Sequence, residues 1–508
     1  SLVILFLWIV GSAFAGNRSA VKAEGNGYVV LASRSVEQDA AWKNVVETLC
    51  KRHAAEVLYY AERPAEALEA LQRMRPRYVA VVEKPERITR DYIIAMNTLS
   101  RQVTPSVYAD FIWGIITGID AGMAMKLADN AVEPLIVRNG LVAQQRPELT
   151  EADWQRFGFL RVGRSGLKTR REDTLAVEYW KPEKQFEVFC DFYKTVAPEF
   201  LLCESYAGNY HFSLPDNSSV HEDVYVENGD FRHMAWKVKV ENNSVVHYDT
   251  VVNQPDWSGD RKVYIAAGSF GCDVDAPEKS CALAWMGAPN VTSMVGYPAN
   301  RILLGQALWG GLKFWCATPG RYTMAESYFL SRQHLLHTLQ EASPELLKTD
   351  YDYTRNASRN MSDVYREMQD IAGKQVAGDM LGFWQERDLL AYFGDPKWDV
   401  RFPSQEDTYT LKTARKGKKY IITLTTNENF SPDAIEGTDI RMFDSGRDLG
   451  APNTVGAIPF SVLFPERLKN PRLASGQDWQ VALSEDMMLV YEAWFEPGKT
   501  YEIVLLVD

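Results

Sequence analysis

The sequence predicts an α/β protein: a parallel-rich sheet flanked by helices over most of its length, followed by an antiparallel β-sandwich. Three observations lead there. From residue 28 onward short apolar runs alternate with amphipathic stretches, the spacing of strands joined by right-handed helical crossovers. After Gly394-Asp395-Pro396 the character changes to runs that alternate in the β manner, with Pro and Gly turns between them. A chain of 508 residues, 46% apolar and 24% charged, is long enough for two or three domains that each bury a core.

Taken in order, residues 28–33 (YVVLAS), 56–60 and 77–82 (RYVAVV) read as strands, with helices over 38–53 and 64–74 between them. A helix over 90–100 and a strand around Trp113-Gly114-Ile115 continue the pattern, and this first unit closes near residue 135. A polar stretch at 161–173 precedes a helix over 183–196 and a strand over 199–203. Residues 207–258, rich in Asn, Asp and His, hold β-like pieces at 236–240 and 245–252 and predict a hairpin-bearing insertion. Strands at 263–267 and 291–296 and helices at 281–287, 300–315, 322–341 and 365–378 make up a second unit. The β-like runs at 409–411, 419–425, 455–463 and 487–507 give the sandwich. The expected division is 26–145 and 150–395 for the two α/β subdomains and 400–508 for the sandwich.

A net charge of −12 argues against nucleic acid or an anionic membrane surface as a partner, because both demand cationic footprints. The one basic cluster, Lys412, Arg415, Lys416, Lys418 and Lys419, lies between two β-like runs and reads as a solvated hairpin. The apolar run Leu2 to Val10, followed by Gly-Ser-Ala-Phe-Ala-Gly, has the form of a signal-peptide core with cleavage after Ala15, its start lying upstream of Ser1. It is too short for a membrane span, so a secreted, periplasmic or cell-surface protein is expected. Six cysteines are too few for a disulfide scaffold; Cys272 and Cys281 either close a small loop or stay as buried thiols. Sequons stand at Asn217, Asn242, Asn290, Asn356 and Asn360.

Candidate chemistry gathers in residues 262–283, KVYIAAGSFGCDVDAPEKSCAL. An apolar strand ending in Gly268 and Gly271 delivers the following side chains to the carboxyl edge of a sheet, where open α/β folds place their sites. Ala267-Gly268-Ser269-Phe270-Gly271 also fits a relaxed serine-nucleophile elbow, but Asp273, Asp275 and Pro277 argue against the helix that such an elbow needs directly after it. There is no H-E-x-x-H, no C-x-x-C and no phosphate loop, so neither metal nor cofactor is expected. Trp309, Phe314 and Trp315 lie at helical spacing and read as core.

Several long words, in one order, resemble the secreted, gingipain-like branch of the clan CD cysteine peptidases. They are YADFIWGIITGID (Tyr108 to Asp120), KVYIAAG (Lys262 to Gly268), CALAWM (Cys281 to Met286), MVGY (Met294 to Tyr297), PGRYTMAESYF (Pro319 to Phe329) and RDLLAYFGDPKWDVR (Arg387 to Arg401). The resemblance implies a caspase/gingipain-like core, an immunoglobulin-like C-terminal module and a peptide or protein as the bound partner. It also implies a nucleophilic cysteine after the strand at 263 and a histidine base after the strand at 199. This chain has Phe270 and Tyr206 at the matching positions. Phenol and benzyl supply neither thiolate nor imidazole, so loss of the dyad and survival of a binding cleft is the first expectation. The second is an active endopeptidase that uses Cys272 with a loop histidine, His211 being the nearest to Tyr206 and His221, His233 and His247 lying further on. Cys272 is two residues beyond the expected position, a displacement of roughly 6.5 Å on extended chain. Glu204, Gly268, Ser269 and Gly271 are the expected lining of the site, and Asn209 flanks the same strand end.

Overall fold

The computed structural model describes residues 27–144, 154–161, 164–171, 174–180, 185–204, 207–208, 211–214, 220–241, 244–253, 255–300, 306–405, 408–436, 440–441, 454–455 and 457–508. The leader, Tyr206, Asn209, Asn217 and Asn242 lie outside them. The first unit runs β1 (Tyr28–Ser33), α1 (Ala40–His53), β2 (Glu56–Tyr60), α2 (Leu68–Met74), β3 (Tyr78–Val82), α3 (Arg90–Leu99), β4 (Ile112–Ile116) and α4 (Ala121–Asn130). It continues through β5 (Asn139–Gln144), β6 (Arg156–Arg161), β7 (Arg164–Arg171), β8 (Thr174–Trp180), α5 (Gln185–Val196) and β9 (Phe200–Glu204). After the insertion come β10 (Lys262–Ala266), α6 (Cys281–Met286), β11 (Val291–Gly296), α7 (Gln306–Ala317), α8 (Met324–Ala342), α9 (Met361–Ala372), α10 (Met380–Glu386) and β12 (Ala391–Phe393).

These twelve strands form one sheet in the order β2-β1-β3-β4-β12-β11-β10-β9-β5-β6-β7-β8. It is mixed rather than wholly parallel. The pairs β1–β2, β1–β3, β3–β4, β9–β10, β10–β11, β5–β9 and β5–β6 are parallel. β12 is antiparallel to β11, and β7 and β8 add an antiparallel hairpin at one edge. Because side chains alternate along a strand, β10 feeds two cores. Tyr264 and Ala266 join the layer that holds α1, α4, α5 and α6, whereas Val263, Ile265 and Ala267 join the layer built on α7 and α8.

The insertion is a five-stranded antiparallel sheet, and Phe212, Val224 and Phe231 plug it into the first layer. Phe231 and Trp257 lie 4.7 and 5.1 Å from the Trp285 ring of α6. The C-terminal unit has β13 (Tyr409–Lys416), β14 (Lys419–Thr426), β15 (Phe460–Leu463), β16 (Arg472–Leu473), β17 (Gln480–Leu483), β18 (Met487–Tyr491) and β19 (Thr500–Leu506). They form sheets β13-β14-β19-β16 and β15-β18-β17, with Ile422, Leu424 and Leu505 of one facing Val462, Met488 and Val490 of the other across a shared core. The sandwich is as expected. Its last strand lies beside the second, where a constant-type immunoglobulin order puts the fifth. Arg321 and Tyr322 donate to Ser461 O at 2.9 and 2.8 Å, and Arg467 donates to Arg75 O at 2.7 Å, which ties the sandwich to the α/β core.

Three readings gain detail. Of the polar stretch 161–173, Arg161 ends β6 and residues 164–171 form β7, next to the edge strand β8. The helix expected at 365–378 occupies Met361–Ala372, because Asn360 Oδ1 caps it from Ser362 N at 2.9 Å and Gly373, at φ +63°, ends it. The sequon residue Asn356 is 3% exposed, which removes it as a sugar acceptor in the folded chain. The basic cluster is exposed on the β13–β14 hairpin, and Trp309, Phe314 and Trp315 are fully buried, as read from the sequence.

β12 closes the sheet only because two glycines let chains meet. A Cβ on Gly114 would lie 2.4 Å from Gly394 O, and one on Gly394, at φ +119°, would lie 2.7 Å from Thr292 O. Gly394→Ala is therefore expected to cost roughly 1–3 kcal/mol, read as a lower urea midpoint. An unchanged midpoint would mean that the segment relaxes freely.

Candidate functional site

β9, β10 and β11 are parallel neighbours, so their carboxyl ends deliver three segments to one edge: Glu204, the turn 268–272 and residues 297–300. Glu204 closes β9 with its backbone, and its side chain is outside what is described. The turn is held from residues 297–300: Phe270 N donates to Ala299 O at 3.3 Å, Cys272 N to Tyr297 O at 3.1 Å, and Ser269 Oγ to Asn300 Oδ1 at 3.0 Å. Asn300 O in turn accepts from Gln385 Nε2 of α10 at 3.2 Å. The N–H groups of Gly268 and Gly271 donate to no described residue. Gly271 is required by space, since a Cβ there would lie 2.8 Å from Ala266 Cβ.

Phe270 sits at the crest of this turn, half-buried, with φ +57°. The left-handed region is unfavourable for a bulky residue, and such positions persist only where their surroundings fix them. Here Ala299 and the second core layer do so.

Cys272 has the opposite environment. It is 0% exposed, packed in the first core layer beneath the turn, with its Sγ against the place where Gly296 lacks a side chain. Burial first, and the Asp273 charge second, push its thiol well above the ordinary value. A nucleophilic thiolate needs an electropositive, accessible setting, so this sulfur is held in the form that does not attack. Cys203 and Cys281 are buried in the same layer, the former pushed up to about 12 by burial. All six cysteines are free thiols, so the Cys272–Cys281 loop is not closed.

The structure does not bring Cys272 and His211 together. His211 lies on the strand His211–Ser213 of the insertion, where alternation sends Phe212 into the core and His211 to the opposite face. His233 is buried and stacks on Phe186 with ring centroids 3.6 Å apart. The side chains of His221 and His247 are not described. What sequence reasoning missed is the supporting segment Tyr297 to Asn300 and the role of Gly296. The MVGY word was the only signal of either.

A brief alkylation of the native protein is accordingly expected to spare Cys203, Cys272 and Cys281, with all three reacting after unfolding. Peptide mapping reads this directly, and rapid native modification of Cys272 would overturn its placement.

Among the described residues no helix is long and apolar enough to cross a membrane. No family model and no curated protein sequence matches the chain. Among solved structures it is similar to the Arg-specific cysteine proteinase gingipain R, with a TM-score of 0.42 and 9% identity over 96% of this chain and 93% of that one. It is also similar to a complex of the pro- and mature domains of a Porphyromonas gingivalis gingipain, with a TM-score of 0.36 and 10% identity over 95% and 93%. A third structure, described as a protease, aligns with a TM-score of 0.39 and 7% identity over 78% and 84%.

Proposed function

We propose that this chain is an exported, gingipain-like cysteine-peptidase homologue that binds peptide or protein at the carboxyl edge of β9–β11 and turns it over poorly or not at all. The observation that carries the reading is the contrast within one turn: Phe270 at the crest, held at φ +57°, and the nearest thiol, Cys272, sealed in the core below it. Backbone donors outlast the loss of side-chain chemistry. The Gly268 and Gly271 N–H groups remain to receive a peptide carbonyl, as they would an oxyanion in an active enzyme. The words that carry the family resemblance support the same reading, with 26–145 and 150–395 as its two α/β subdomains, 400–508 as its accessory sandwich and 1–15 as its leader. The active alternative needs Cys272 to leave the core and acquire an imidazole, and nothing in its packing favours that.

Ser269 is half-buried at the turn and its hydroxyl donates to Asn300, so it is a place to obstruct the edge without opening the core. Screening the full chain against an immobilised peptide library should select a family of sequences whose binding Ser269→Trp weakens at least tenfold, with no fragments released. A library with no selected sequence, or selection untouched by Ser269→Trp, would reject the site.

A further inference from the structure

Where α8 meets one end of the sandwich there is a cavity of about 270 Å³, lined by His334 from α8 and otherwise by sandwich residues. Its walls are apolar: Phe430, Ile435, Ile458, Phe460, Val490 and Phe495. The rim is unusual. Trp494 is 72% exposed, more than any other large apolar side chain among the described residues. Glu492 stands beside it at φ +51°, a left-handed conformation on a residue other than glycine, and its Oε2 accepts from Gln480 Nε2 at 2.8 Å.

We propose that this cavity binds a small molecule with an aromatic body and a cationic end, the ring entering the apolar walls and the charge resting between Trp494 and Glu492. The charge pattern selects the class. Among the described residues that line the cavity, Glu492 is the only carboxylate and there is no Lys or Arg. Arg321 lies behind Phe460, 5.6 Å from its ring, and commits its guanidinium to Ser461 O and the Tyr409 hydroxyl. Among the described lining residues an anionic ligand would meet a carboxylate and no counter-charge, whereas a cation gains both the carboxylate and the face of an indole, the best of the aromatic partners for a cation. His334 adds no competing positive charge near neutral pH. Burial, and then His337, bring it down to about 4, and its Nδ1 is within 3.0 Å of the Tyr491 hydroxyl. The volume suits a bicyclic ring, at the small end of ligand sites. A strained acidic residue and an exposed tryptophan at one rim are the features that a simple packing void lacks. None of the lining residues belongs to the turn at 268–272, so the proposal stands apart from the peptide-binding reading.

Three probes that share one ring and differ in charge test it: tryptamine, indole and indole-3-acetate, titrated by calorimetry into the full chain. Tryptamine should bind saturably and about tenfold or more tighter than indole-3-acetate, with indole between them. Glu492→Gln, at an exposed position, should collapse that ratio towards one, Trp494→Ala should weaken tryptamine about tenfold, and Ala457→Trp should block all three. If none binds at millimolar concentration, if the acetate binds as tightly as the amine, or if Glu492→Gln leaves the ratio unchanged in a protein that melts normally, the proposal fails.

Discussion

Peptide cleavage by the unmodified chain should not exceed the uncatalysed background, and the double substitution Phe270→Cys with Tyr206→His should create thiol-dependent cleavage of some library member. Removing nucleophile and base from a peptidase costs on the order of 10⁴ to 10⁶ in rate. Restoring the two residue types without their fine positioning should recover a part of this, on the order of 10³-fold over the unmodified protein. The turn is suited to the test. The Phe270 N–H bond to Ala299 O does not depend on the side chain, so a cysteine there inherits the same φ and a half-exposed position. Alkylation of the new thiol in the single variant Phe270→Cys separates a turn that has collapsed from one that merely lacks a base. The active alternative wins if the unmodified chain already cleaves peptides and Cys272→Ala abolishes that cleavage without unfolding the protein.

The largest stability effect should follow Asp388→Ala. Asp388 is 3% exposed, and its carboxylate accepts from Arg101 Nη2 and Arg387 Nε, both at 2.7 Å, with Arg332 Nη2 3.8 Å away. Asn97 Nδ2 donates to its backbone oxygen at 2.8 Å, so α3, α8 and the link from α10 to β12 meet at this one residue. Removing the carboxylate strands buried guanidiniums without a counter-charge, for which about 3–5 kcal/mol is the usual cost. The urea midpoint should fall accordingly, and a loss below about 1 kcal/mol would mean that Asp350 and the carbonyls around Arg387 already suffice. The same group sets a pH dependence. Burial opposes its charge, but Arg101, Arg387 and Arg332 together hold its pKa below the ordinary carboxylate value. A carboxylate depressed in the fold contributes its full stability above the unfolded-state pKa, near 3.9, and loses it as pH falls through the folded value. Acid unfolding of the wild type should therefore be steeper below about pH 4 than that of Asp388→Asn, which starts lower.

The words that carried the family resemblance turn out to be the fold's fastenings. Arg387 and Asp388 form the buried ion cluster, Gly394 admits β12, and Asp395 accepts from Tyr28 OH at 2.8 Å and contacts His53 Nε2 at 2.7 Å. Tyr322 docks the sandwich. Strand and helix periodicity, the site turn after β10 and the change to β-structure after Gly394 were legible because they follow from local patterns of apolar residues, which chain neighbours alone create. β12 was not legible, since a three-residue strand has too little pattern to read and owes its place to partners 95 to 99 residues earlier in β11. Nor was the burial of Cys272. In the sequence it is a cysteine after Gly268 and Gly271 on an apparent loop, two residues past the expected nucleophile, with a catalytic and a core role both open. Its fate was decided by Gly296, which ends the next strand and makes room for the sulfur, and by Tyr297 just after it, whose carbonyl takes up the Cys272 N–H. The sequence by itself thus determined which chemistry could be present at the edge of β9–β11. Only the tertiary structure decided which side chains reach solvent there, because exposure depends on what packs against a residue and not on what precedes it.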